Sequence, residues 1–252
     1  MPTEFSRSDD LRGARFTNVN LRGARFDGVD LSGAMIRGSD IAGGEIDSPW
    51  LIESRDPLWV NGVDVTPFVD AELDRRFPGR SQRRAGDPES LRAAWSVLQE
   101  TWAATVSRAE AMPAGTVDIR IDDEWSFAET LRHLVLATDI WLGKAALGLE
   151  QPYHRFGLTN AGAGDEGFDM SVFAADPPTW AQVLETRADR VGMVTAYLGD
   201  VTAEQLAEPR QNPWAPQHQE SVLSCLHTVL EEEWEHHRYA VRDLDKIASG
   251  VA

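Results

Sequence analysis

The stretch EEEWEHHRYAVRDLDKI, residues 231–247, sets four glutamates and two adjacent histidines within a few helical turns. A carboxylate and an imidazole four residues apart on one helix face project side by side and can grip one metal ion. Which pair does so depends on which face points inward. Steps of three and four along this helix give Leu223, Leu226, Leu230, Glu233, His237, Ala240, Leu244 and Ile247. That is the continuous apolar stripe, so it must face the interior. Glu233 and His237 sit at consecutive positions of this seam. Glu231, Glu232, Glu235 and His236 fall off it and are expected to be solvated. Burying a carboxylate is costly unless it is paired or binds a metal, which makes Glu233 and His237 the candidate ligands. A third ligand should come from a facing helix. His133 is the histidine of WSFAETLRHLVLATDIWL (125–142), flanked by Leu131, Leu134, Val135, Leu136 and Ala137. The competing reading is a buried His–Glu–His network that only fixes helix register.

Four helices must position these groups. Asp87-Pro88 opens the first, with apolar positions Leu91, Trp95, Leu98, Trp102 and Val106. Ser126 with Glu129 forms a capping box for the second, which runs to about residue 148. Asp176-Pro177 opens the third, with Trp180, Leu184, Arg187, Val191, Val194 and Leu198 at helical spacing. The fourth runs from about Ser221 to Ile247. Together they predict a four-helix bundle over residues 87–252. The second and third helices are joined by EQPYHRFGLTNAGAGDEGFDMSVFAAD, long enough for a crossover, a lid or both. Its His154 is the loop residue best placed to reach over the site. Residues 49–86 form a connector with a short helix opened by Thr66-Pro67. The basic run RRFPGRSQRRAGDP that follows reads as a solvated linker.

Residues 1–48 repeat. Every fifth position from Leu11 is large and apolar: Leu11, Phe16, Leu21, Phe26, Leu31, Ile36, Ile41 and Ile46. The word LRGARF recurs at 11–16 and 21–26. A five-residue period fits neither helix nor flat strand; it suits a solenoid with one side per pentad. The segment resembles the pentapeptide-repeat family, which implies a short right-handed quadrilateral β-helix of about two coils. Two coils are few for independent stability. Docking on the bundle or on a second chain is expected, the second of these giving a homo-oligomer through the repeats.

The chain has 252 residues, a net charge of -17, 42% hydrophobic residues and nine tryptophans, which suits a folded core. So acidic a chain repels phosphate backbones and anionic lipid, excluding nucleic acid and membranes as partners. One cysteine, Cys225, excludes an intramolecular disulfide and reads as a buried, apolar-like thiol. No apolar run is long enough for a membrane span, and the N-terminus lacks a signal-peptide core, so a cytoplasmic protein is expected.

The words EWSFAETLRHL and EEEWEHHRYAVRDL, with one histidine on the second helix and an acid-xxx-His pair on the last, resemble the DinB-like metalloprotein superfamily. Glutamate as the middle ligand is similar to the mycothiol-dependent maleylpyruvate isomerase branch. The resemblance implies His133, Glu233 and His237 as ligands of a divalent metal. Two histidines and one glutamate leave coordination open, the catalytic pattern for zinc. A low-molecular-weight thiol such as mycothiol would fill the opening, for S-transfer or isomerisation of a small-molecule substrate. A hydrolase using metal-activated water and a non-catalytic binding and assembly module are the alternatives. His154 and Arg242 are the candidate substrate contacts, although Arg242 also suits the negative end of the helix dipole.

Overall fold

The computed structural model describes all residues except 1–4, 7–8, 55, 161–162, 167–168 and 251–252, with Asp165 and Glu166 as backbone alone. The chain divides into two compact units, Met1–Asp47 and Ser48–Ala252.

The second unit opens with a two-stranded hairpin, β1 (Trp59–Val60) and β2 (Val63–Asp64), before α1 (Thr66–Arg76). Thr66 is not the helix cap. Its hydroxyl accepts the Leu58 N–H at 3.0 Å and ties the hairpin to the helix start. The basic run is not a solvated linker either. Arg80 and Arg83 are buried, donating to Asp70 at 2.8 Å each and also to Asp74. Acids spaced along α1 supply the counter-charges that allow burial, a pairing invisible in a count of basic residues.

Capping side chains set the long helices. α2 (Pro88–Glu110) starts at Asp87, which accepts the Glu89 and Ser90 N–H groups. α3 (Phe127–Thr138) starts at the expected Ser126–Glu129 box. It continues as a π-helix, Asp139–Ala146. α4 (Trp180–Asp200) starts later than expected, capped by Thr179 with Gln182. The proline pair explains the delay: Pro178 disfavours helical geometry at Pro177. A one-turn helix, α5 (Ala203–Leu206), and a small hairpin, β3 (Pro209–Gln211) with β4 (Gln219–Ser221), lead to α6 (Val222–Ser249). Ser221 caps α6, and Gly250 ends it in the left-handed region at φ 71°.

Leu91, Trp95 and Leu98 of α2 pack with Val194 and Leu198 of α4 and Leu226, Val229 and Leu230 of α6. Each such side chain contributes about 1.5–3 kcal/mol on full burial. Cys225 is fully buried, and burial pushes its thiol up to about 11. No helix among the described residues is long and apolar enough to cross a membrane.

In the first unit the hydrogen-bonded turns recur every ten residues, over an apolar period of five. The N–H groups of Ala14, Ala24, Ala34 and Gly44 donate to the carbonyls of Leu11, Leu21, Leu31 and Ile41. Gly13, Gly23, Gly33 and Gly43 take positive φ at the third position of each turn, where a type II turn needs it. Side chains of Asp10, Asn20, Asp30 and Asp40 accept the N–H two residues on. Among the described residues of this unit there is no strand, and so no β-helix. Its large apolar residues stay exposed, from 44% at Leu11 to 69% at Ile36. Local turn chemistry is satisfied within each ten residues, whereas burying the apolar positions needs stacked neighbours that eight pentads scarcely supply.

Candidate metal centre

α6 is packed on several sides, so it has more than one buried face. The seam read from the sequence is indeed inside: Glu233 and His237 are 1% and 4% exposed. Protein groups meet the Glu233 carboxylate and one ring nitrogen of His237, whose Nδ1 is buried with no hydrogen-bond partner among the described residues. Arg187, from the buried face of α4, donates to both oxygens of Glu233. His237 Nε2 shares a 2.9 Å hydrogen bond with the Thr105 hydroxyl of α2, and the rings of Phe77, Trp102 and Trp234 surround its imidazole edge-on. Burial pushes the Glu233 carboxyl up against the pull of Arg187, and pushes His237 down to about 4.

His133 meets the neighbouring pair instead. Its Nε2 lies 3.6 Å from Glu232 Oε2, and His236 Nε2 lies 3.3 Å from the same oxygen. Donor atoms of His133, Glu232 and His236 all fall within 4.8 Å of one another. Among the described residues the donor atoms that converge with His133 are thus those of Glu232 and His236, one position before the expected Glu233 and His237 on α6. The physical reason is helix geometry. One residue is a rotation of about 100°, which carries a side chain from the side facing α2 and α4 to the side facing α3.

This group fits a metal ion. Tetrahedral ligands about 2.0–2.2 Å from zinc lie roughly 3.4 Å apart, close to the two separations from Glu232. The carbonyl of Leu158 can only accept, so the 3.1 Å contact to His133 Nδ1 puts the proton there and leaves Nε2 as a free lone pair. Burial acts to raise the Glu232 carboxyl, but the two imidazoles beside it outweigh that and hold the group at about 2. Burial pushes His236 down, towards the neutral form that a ligand needs. Trp125 covers both imidazoles, 4.5 Å from the His133 ring and 5.8 Å from that of His236.

The other two candidates have partners of their own. His154 turns back on its own loop: its Nδ1 accepts the Phe156 N–H at 3.2 Å. Arg242 pairs with Asp243 and Glu124 and lies 5.1 Å over the Tyr239 ring. Glu232 and His236 were missed because apolar periodicity reports only the centre of the seam. The doubled words EE and HH did carry a signal, since they repeat the same four-residue spacing one position earlier.

A mainly helical unit with two histidines and a glutamate gathered between its second and last long helices defines a protein with a site able to hold a metal. The DinB superfamily model matches residues 97–240, more than half of the chain, and the chain belongs to that superfamily. Pentapeptide repeats match in eight copies over residues 10–43. No curated protein and no solved structure matches the chain.

Proposed function

We propose that His133, Glu232 and His236 hold a divalent metal, zinc by their donor types, and that the helical unit is a low-molecular-weight-thiol-dependent S-transferase or isomerase. The observation that carries this reading is the convergence of the three donor atoms within 4.8 Å. A bound ion of this kind leaves coordination open and keeps a thiol that reaches it deprotonated near neutral pH. The protein's own residues do the rest. Leu158 fixes the His133 tautomer, Glu232 supplies negative charge, and Trp125 shields the imidazoles from water. Among the described residues no further His, Cys, Asp or Glu joins the group.

The test is metal content after purification without chelators, followed by cobalt substitution and titration with several small thiols. One ion per chain is expected, with a cobalt spectrum that changes on adding a thiol. Loss of metal in Glu232→Ala and His236→Ala supports the site. Retention in both overturns it. A cobalt spectrum indifferent to every thiol leaves the site and overturns the transferase reading in favour of hydrolysis or simple binding.

A further inference from the structure

The loop between the π-helix and α4 reaches the metal centre through a clamp that none of the three ligands explains. Asp139, at the junction of α3 and the π-helix, is fully buried. A buried carboxylate needs partners, and it has two: Arg190 Nε of α4 at 2.5 Å and the backbone N–H of His154 at 2.7 Å. Arg190 also donates to the Pro152 carbonyl at 3.3 Å, so one ion pair grips the loop at two points. Gly143 makes room for that grip, since a Cβ there would stand 2.7 Å from the Pro152 ring. From His154 the loop turns through a Gly157 N–H to His154 carbonyl bond. It is then fastened to α3 by Arg132 Nε on the Phe156 carbonyl and by the Leu158 N–H on the Arg132 carbonyl. The next group is the Leu158 carbonyl, bonded to His133 Nδ1.

We propose that Asp139 and Arg190 are positioning residues of the metal centre, holding the loop so that the Leu158 carbonyl fixes His133 in the tautomer that presents Nε2 to Glu232. The inference rests on the metal reading for its purpose but not for its geometry. Neither residue touches the three ligands, so any effect passes through the loop. A neutral imidazole carries one ring proton, and an acceptor at Nδ1 decides where it sits. Outer partners of this kind change metal affinity about 10–100-fold.

The experiment reads the His133 ring nitrogens by NMR in the metal-free full chain, beside cobalt affinity. Read at alkaline pH, where the imidazole is neutral, wild type should show the proton on Nδ1 alone. Asp139→Ala should give mixed tautomers and an affinity about 10–100-fold weaker. Asp139→Asn, which still offers an oxygen to the His154 N–H, should restore the single tautomer. Arg190→Met serves as a second disruption should Asp139→Ala fail to fold, and should also give a mixture. Folded disruptions that keep a single Nδ1 tautomer, with only the melting temperature lowered, overturn the proposal. Failure of wild type to bind cobalt would refute the metal reading alone, because the tautomer is read without metal.

Discussion

Two glutamate–histidine pairs lie one residue apart on α6, with the same four-residue spacing and opposite destinations. Glu233 and His237 are locked into the core by Arg187 and Thr105. Glu232 and His236 turn to His133 and the loop carbonyl behind it. The first pair has its carboxylate and one ring nitrogen met by protein groups, and only His237 Nδ1 has no hydrogen-bond partner among the described residues. The second has two imidazoles against one carboxylate, with donor atoms aimed at a common point. Burial alone therefore does not mark a metal ligand; a buried acid with an arginine on it is already compensated. The core pair also serves the other, because the Arg187–Glu233 contact fixes the rotation of α6 that presents Glu232 and His236 to α3.

The largest expected effect separates the two pairs by stability. Arg187→Met leaves a buried carboxylate unpaired and should cost about 3–5 kcal/mol, read by denaturant or thermal unfolding. The double variant Arg187→Met with Glu233→Met should recover most of that loss, since apolar replacement of both partners is often near neutral. No recovery would mean that the ion pair does more than compensate its own burial.

Next comes the contrast between adjacent histidines. His236→Ala should weaken cobalt binding by more than the roughly 10–100-fold of losing an outer partner while leaving the melting point nearly unchanged. His237→Ala should do the reverse, costing about 2–4 kcal/mol of stability as a buried deletion with little change in affinity. If His237→Ala loses the metal and His236→Ala keeps it, the assignment of the two faces is inverted.

The smallest effect belongs to the loop clamp on the Glu232 side. Burial, outweighing the pull of Arg190, raises the Asp139 carboxyl to about 6 from its ordinary 3.8. A raised carboxyl binds its proton more tightly folded than unfolded. Its stabilising contribution is therefore complete below about pH 4 and lost as pH rises through about 6. Asp139→Asn should remove that slope, so the stability difference between wild type and variant should change by about 2–3 kcal/mol across the window. A constant difference from pH 4 to 6.5 would show that Asp139 titrates normally.

The sequence made much of this visible. Capping residues placed α2 and α3, because a side-chain oxygen ahead of an apolar period is local chemistry. The α6 seam was legible residue by residue, and so were His133 and the tandem repeats. Other features depended on partners distant in sequence. Arg80 and Arg83 looked solvated until Asp70 and Asp74 were brought to them. The ten-residue turn pattern came from glycine and Asx geometry laid over the five-residue apolar period.

What the sequence determined by itself was which residue types recur on α6 and at what spacing, and hence that one helix carries two possible ligand pairs. Only the tertiary structure decided between them. Periodicity defines a helix's inward direction relative to its own apolar residues, but not which neighbour stands at each side of that direction. Once Arg187 and Thr105 occupied the side of Glu233 and His237, and His133 the side of Glu232 and His236, a rotation of about 100° separated a pair held by protein groups from one that could hold a metal.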